Sequence, residues 1–134
     1  MEVCPRALYF GPLIFLILIN DLTAGCLLHK FVDDATLTEI IPKDGSSKMS
    51  SIINDVISWS CKNLMNINWS KTKEMAIVTK GAGSHFDALS FSNNIVEQVH
   101  SFKLLGVTID DDLKWSRLLM LILFALKRVV VCAF

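Results

Sequence analysis

The chain has 134 residues, 52% of them hydrophobic, and its 13 basic residues balance 13 acidic ones. This length allows one hydrophobic core and requires no second domain, and the neutral charge excludes the strong positive excess of a free-standing nucleic-acid-binding protein. The four cysteines form no C-x-x-C pair, which argues against both a zinc site and a dense disulfide framework.

The first predicted element is a helix that begins at Gly11-Pro12 and ends near Asn20. Proline is favoured in the first turn of a helix, and the residues from Leu13 to Ile19 are all apolar. A helix that is apolar on every side is typical of a buried position. We therefore expect this helix to lie in the core.

Two short strands follow, Leu27 to Val32 and Ala35 to Ile41, because β-branched and aromatic residues are concentrated there. Asp33 and Asp34 lie between them, at the position of a tight turn. The sequence thus predicts a hairpin with two carboxylates at its tip.

A second helix is predicted from apolar and small residues at three- and four-residue spacing. These are Met49, Ile52, Ile53, Val56, Ile57, Ser60 and Leu64. Ser46 or Ser47 is placed to cap the start of this helix. A strand from Glu74 to Thr79 follows it.

A further hairpin is predicted from Ala88 to Val99, with its turn at Ser92-Asn93-Asn94. Asparagine tolerates the positive φ that such turns need. The next strand is predicted from Ser101 to Ile109 and contains Gly106.

The last predicted element is a helix after Asp110-Asp111-Asp112, because acidic residues suit the positive end of a helix dipole. Leu118 to Phe134 is predominantly apolar, and the pair Lys127-Arg128 interrupts it. This interruption favours a buried helix over a membrane span. We also expect no secretory signal at the start of the chain, and hence an intracellular protein in the cytoplasm or nucleus.

The paired carboxylates Asp33 and Asp34 are the residues that point most directly to chemistry. Adjacent carboxylates repel each other unless a cation or strong hydrogen bonds neutralise them. Mg²⁺ is a hard ion that one or two carboxylates, waters and substrate phosphates hold together. The alternative is a solvated Asp-Asp turn, because aspartate is common in turns.

Four segments, read together, resemble the reverse transcriptases of non-LTR (LINE-like) retrotransposons. They are Gly11 to Leu22, Phe31 to Leu37, Asn68 to Met75 and Phe102 to Ile109, in matching order and spacing. The resemblance implies an α+β fold: an antiparallel palm-type sheet with packed helices, as a truncated polymerase palm with the start of the thumb. It covers residues 1–115, and residues 116–134 are expected to form an apolar helix or tail outside the family pattern.

The resemblance implies roles for single residues. Asp33 and Asp34 match the F/Y-x-D-D turn that holds catalytic Mg²⁺. Lys71 matches a catalytic cation that meets the triphosphate or gives a proton to the leaving pyrophosphate. Phe31 and Lys73 match substrate-binding positions beside the incoming nucleotide.

Two further regions match substrate contacts of the family. The primer-grip hairpin corresponds to Phe102, Leu104, Leu105 and Gly106, where glycine is expected to permit close backbone approach. Arg6 and Ala7 stand in the substrate-binding segment where the family has glutamine and glycine. Their added bulk and charge are expected to weaken binding.

By this resemblance the chain is a fragment of an RNA-directed DNA polymerase that adds deoxynucleotides to a primer 3′ end. Its implied partners are an RNA template, a DNA primer and deoxynucleoside triphosphates, with Mg²⁺ as cofactor and no obligate protein partner. The family also needs a carboxylate from an earlier strand, where this chain has only Glu2. We therefore expect the isolated chain to be inactive.

Two alternatives remain open from the sequence. One is a non-enzymatic retrotransposon remnant that persists as a small α+β domain. The other is a small membrane-associated protein that uses its apolar last residues. His29, His85 and His100 have no spacing that indicates a ligand set or a catalytic triad.

Overall fold

The structure is a computed structural model that describes residues 5–42, 45–77, 87–91, 93–104, 106–111 and 126–134, without the side chains of 5–10, 126 and 127. These residues form an α+β fold with two helices, α1 (Pro5–Asn20) and α2 (Met49–Lys62). Their strands are β1 (Leu27–Phe31), β2 (Asp34–Ile41), β3 (Lys73–Ile77), β4 (Ser90–Phe91), β5 (Asn94–Ile95), β6 (Glu97–Gln98), β7 (Ser101–Leu104), β8 (Val107–Asp110) and β9 (Leu126–Ala133).

The first helix differs from its prediction in both its start and its burial. It begins at Pro5 and contains Pro12, and it ends at Asn20 as expected. The prediction of a buried helix is wrong for the described side chains of residues 11–20, because Ile19 is buried in the core whereas Leu13 and Ile14 are exposed and Ile17 is 65% exposed. Lys30 fixes that end by donating to the carbonyl oxygens of Ile19 and Asn20, at 3.0 and 2.8 Å. No helix within the described ranges is long and apolar enough to cross a membrane.

The second helix confirms its prediction except at Leu64, which lies beyond the helix end at Lys62 and is 92% exposed. Its buried stripe consists of Met49, Ile52, Ile53, Val56 and Ser60. The hydroxyl of Ser47 accepts a hydrogen bond from the backbone N–H of Met49 at 3.2 Å, so Ser47 satisfies one of the free donors at the helix start. Periodicity identified this helix because one face alone packs on the sheet.

The main sheet has five strands in the order β1-β2-β9-β3-β6. β9 runs antiparallel to both β2 and β3, so β2 and β3 run in the same direction. β6 is parallel to β3, which makes the sheet mixed rather than purely antiparallel. The unit β2-α2-β3 is therefore a split β-α-β motif, and we call the gap between β2 and β3, which β9 fills, the strand slot.

The last residues of the chain form a strand where the sequence predicted a helix. β9 pairs with β2 along its full length, from Asp34 opposite Ala133 to Ile41 opposite Leu126. The run Val129-Val130-Val131 is β-branched, and β-branched side chains pack well on a pleated sheet. The acidic helix start predicted at Asp112 lies outside the described residues.

The core lies between α2 and one face of the sheet. Side chains from β2 and β9, Ala35, Leu37, Val130 and Cys132, meet the buried stripe of α2. The alternating positions Thr36 and Val131 point to the opposite face because strand side chains alternate. Phe102 of β7 lies against Met75 and Val129 on that opposite face.

The hairpin and the strand predicted in residues 88–109 have different outcomes. The turn between β4 and β5 has Asn93 at a φ of 68°, as its sequence predicted. The single strand predicted from Ser101 to Ile109 is instead the hairpin β7–β8, which turns at Gly106 with a φ of 86°. Glycine adopts this φ without steric cost, so the chain can reverse direction between β7 and β8 at this position.

Candidate functional site

The tip of the β1–β2 hairpin carries the two predicted carboxylates. Phe31 pairs with Asp34, so Val32 and Asp33 form a two-residue turn. Asp33 is exposed in the turn, and Asp34 is the half-buried first residue of β2. The hairpin thus holds both carboxylates at one end of the sheet.

Val32 stores backbone strain in this turn. Its φ is 51°, a left-handed conformation that a β-branched residue adopts rarely. Such a conformation costs about 1 to 3 kcal/mol and persists only where the surrounding structure enforces it. Here the ladder of β1 and β2 enforces it, because a slip by one residue would turn every side chain of the hairpin to the other face.

Lys71 lies near the two carboxylates. Burial raises the pKa of the Asp34 carboxyl above its usual range, the charge of Asp33 raises it further, and Lys71 opposes both effects. Two negative charges and one positive charge therefore meet at the hairpin tip. The structure brings together the three residues that the sequence singled out for catalysis.

A short turn holds Lys71 in place. The backbone oxygen of Asn68 accepts hydrogen bonds from the N–H groups of Lys71 and Thr72, at 3.1 and 3.0 Å. The side-chain oxygen of Asn68 accepts from the Ser70 hydroxyl at 2.7 Å. Asn68 itself donates its backbone N–H to the oxygen of Ala133 at 2.7 Å.

The end of β9 connects the carboxylate turn with the lysine turn. While Ala133 accepts from Asn68, the backbone N–H of Phe134 donates to the oxygen of Asp33 at 3.0 Å. The ring of Phe134 packs edge to face on Trp59 of α2, with centroids 5.8 Å apart. No motif indicated this link, because Phe134 is far from both turns along the chain.

The donor set at the tip is small. Asp34 is paired across the sheet with Ala133, so the neighbouring strand brings no carboxylate to this point. Within the residues that the structure describes, no three His, Cys, Asp or Glu side chains are grouped so as to hold a metal ion. Two carboxylates are enough to hold one hydrated Mg²⁺. A site for two metal ions would need a third carboxylate that both ions share.

The predicted substrate-binding residues are only partly near the tip. Phe31 is the exposed last residue of β1, directly before the turn. Lys73 begins β3, where its ammonium forms an ion pair with Glu97 of β6. Arg6 and Ala7 lie in the first turn of α1, whereas the opposite end of that helix contacts the hairpin through Lys30. The side chains of Arg6 and Ala7 lie outside the described residues.

The predicted primer grip corresponds to the β7–β8 hairpin. Phe102 and Leu104 are half-buried residues of β7, and Leu105 lies outside the described residues. A side chain at Gly106 would meet open space, so glycine is needed here because of the positive φ and not because another part of the chain lies close to it. The expected close approach at Gly106 concerns the backbone of a bound primer, so it stays a prediction.

A cleft of about 500 Å³ lies at the other end of the β1–β2 hairpin, away from the carboxylates. Cys26 and Glu39 are among the residues that line it. Burial raises the pKa of the Cys26 thiol, which disfavours the reactive thiolate. Within the described ranges, Cys26, Cys61 and Cys132 are free thiols, and burial raises the pKa of Cys132 to about 12.

Fold and site together define an α+β domain on a split β-α-β motif, with paired carboxylates and a lysine at one end of its sheet. The chain matches no protein-family model, no curated protein and no solved structure. The geometry of its own residues therefore carries the functional argument.

Proposed function

We propose that the chain is a fragment of an RNA-directed DNA polymerase palm. In the complete protein it would help to add deoxynucleotides to a primer 3′ end on an RNA template. The juxtaposition of Asp33, Asp34 and Lys71 at the end of a split β-α-β motif carries this proposal. The order of the elements supports it too, because the hairpin, α2 and β3 follow each other as the resemblance implies.

Each of the three residues has a defined part. Asp33 and Asp34 supply oxygen ligands for one Mg²⁺, which would neutralise phosphate charge and polarise a phosphoryl oxygen. The Lys71 ammonium, held by the Asn68 turn, offers a point charge for a phosphate oxygen. The rigid hairpin fixes the spacing of the carboxylates before any ligand arrives.

The isolated chain is expected to bind a cation without catalysing nucleotide addition. Two-metal phosphoryl transfer needs ions about 4 Å apart that share ligands, and Ala133 stands beside Asp34 where a further carboxylate would be needed. The same observation favours the second candidate function, a non-enzymatic remnant of such a polymerase.

Metal titration tests the proposal. Mn²⁺ binding followed by electron paramagnetic resonance should show one weak site per chain, with a dissociation constant on the order of 0.1 to 1 mM, and D33N/D34N should lose it. The matched control is D55N, which removes an exposed carboxylate of α2. Equal binding by the wild type and D33N/D34N would contradict the proposed site.

Primer extension on an RNA template with Mg²⁺, taken together with Mn²⁺ binding, separates the two candidate functions. We expect no product from the isolated chain. A product that disappears in Asp33→Ala would show that two carboxylates suffice and would overturn the expected inactivity. Absence of both extension and Mn²⁺ binding would favour the non-enzymatic remnant.

A further inference from the structure

β9 fits the strand slot along its whole length. All eight of its residues are paired with β2, from Leu126 to Ala133. Five of them are also paired with β3, on the other side. The strand is therefore hydrogen-bonded on both edges, although both partners come from a distant part of the sequence.

A buried charge network fixes the register of β9. Arg128 is opposite Glu39 of β2, and it forms an ion pair with Glu74 of β3. Glu74 is 1% exposed and Arg128 is 4% exposed. The guanidinium also donates to the Ser47 hydroxyl and to the oxygen of Asp87, each at 3.0 Å. A slip by one residue would turn Arg128 to the opposite face of the sheet and leave Glu74 uncompensated.

The walls of the slot form one continuous unit without β9. β2 and β3 are joined through α2, which packs its stripe of buried residues against the sheet. Without β9, both walls would become exposed edge strands, and Glu74 would lose the guanidinium that balances its charge. Exposed edges of this kind recruit other strands.

The slot also specifies its ligand chemically. The ligand must be an extended segment that runs antiparallel to both walls. It needs small or β-branched residues on the α2 side, where Val130 and Cys132 are now fully buried. It also needs a guanidinium that reaches Glu74. The segment of this sequence that meets these requirements is 126–133, and every copy of the chain carries it.

We propose that the strand slot is a strand-binding site, and that two copies of the chain exchange their β9 segments through it to form a dimer. Each exchanged strand makes the same pairs as in the closed monomer. The dimer then costs mainly the entropy of association, and it forms at high protein concentration.

Two complementary variants test the exchange. E74L leaves Arg128 without its carboxylate, and R128M leaves Glu74 without its guanidinium, so each variant alone should fail to seat its own β9. In an exchanged dimer of the two, one slot has the native Glu74–Arg128 pair and the other an apolar Leu–Met pair. The control is the E74L/R128M double variant, which has the apolar pair within one chain.

The expected result is recovery on mixing. The equimolar mixture should regain a cooperative unfolding transition and elute at twice the 15.0 kDa mass of one chain, whereas each variant alone should show neither. If the double variant folds as a monomer and the mixture does not recover, strand exchange is wrong.

A second measurement decides the case in which the double variant does not fold. Two wild-type copies with different tags are unfolded together, refolded at high concentration and analysed by native mass spectrometry. Dimers with one copy of each tag support the exchange. Monomers alone, at every concentration tested, overturn it.

Discussion

Two clusters in this protein contain the same set of charges but differ in their exposure to solvent. Asp33, Asp34 and Lys71 lie at the hairpin tip. Glu74 and Arg128 form an ion pair inside the sheet, and the half-buried Glu39 is linked to Arg128 through the Ser47 hydroxyl. Each cluster has two carboxylates and one cation. Only the buried cluster is closed by a direct ion pair and by further hydrogen bonds from the guanidinium.

The contrast shows that burial decides what a charge cluster does. In the sheet, the buried ion pair holds β9 in one register, because any other register would leave a buried charge unpaired, which is costly. At the tip, water solvates the carboxylates, so their oxygens can exchange water for a ligand. We therefore assign a structural role to the buried cluster, and the exposed cluster is the one for which we propose ligand binding.

Breaking the buried cluster should have the largest effect. R128M leaves Glu74 buried without its cation, and removal of one partner from a buried pair costs about 3 to 5 kcal/mol. Urea unfolding should show this loss as a lower midpoint. K71M at the tip is the matched comparison, and an equal loss in both variants would contradict the contrast.

Relief of strain at the tip should have a smaller effect of opposite sign. Val32→Gly keeps the φ of 51° and removes the steric cost of a β-branched side chain. We expect the free energy of unfolding to rise by about 1 kcal/mol. Val107→Gly, in an exposed strand position, serves as the control and should destabilise. A loss of stability in Val32→Gly would show that its φ is not strained.

The pH dependence of stability should reveal the burial of the Asp34 carboxyl and its repulsion by Asp33. The Asp34 carboxyl has a raised pKa in the folded state, so its contribution to stability is fully present below the unfolded value of 3.8 and is lost as the pH rises through the folded pKa. D34N lacks this titration. The unfolding free energy of D34N should therefore increase relative to that of the wild type as the pH rises from about 3 to 7. A constant difference across this range would contradict the assignment.

Removal of Lys71 should have the smallest effect, which is a change in the pKa of Asp34. Lys71 lowers the pKa of Asp34 against the stronger effects of burial and Asp33. K71M should therefore raise that pKa further, as measured by the side-chain carboxyl carbon resonance in NMR. K62M, which removes the exposed lysine at the end of α2, should leave it unchanged. Equal titration curves in both variants would place Lys71 away from Asp34.

The parts of the fold that follow local rules were predicted from the sequence. The spacing from Met49 to Ser60 identified α2 because one helix face packs on the sheet. The β-branched and aromatic residues on both sides of Asp33 and Asp34 identified the first hairpin within one residue at each strand. Both signals depend on neighbours within a few positions along the chain.

The parts that depend on distant partners were not predicted. The exposure of α1 depends on which distant residues cover the helix, and its apolar sequence holds no record of that. β9 was expected to be helical because the apolar run after Leu118 has no strand-like alternation, and the slot that accepts it is formed by residues far earlier in the chain. The pairing of Glu74 with Arg128 was hidden for the same reason.

The candidate site was predicted better than its surroundings. Asp33, Asp34 and Lys71 were selected by their motifs, and the structure brings them together. The supporting contacts of Asn68, Ala133 and Phe134 are backbone hydrogen bonds. Side-chain identity does not encode such bonds, so no motif indicated them.

Paramagnetic broadening by Mn²⁺ tests the central claim most directly, namely that the exposed cluster is the one that binds a cation. In amide NMR spectra of the folded chain, substoichiometric Mn²⁺ should first broaden the signals of Val32, Asp33, Asp34 and Lys71, and Glu74 should be affected later. Broadening that begins elsewhere, or that is uniform over the chain, would contradict the account.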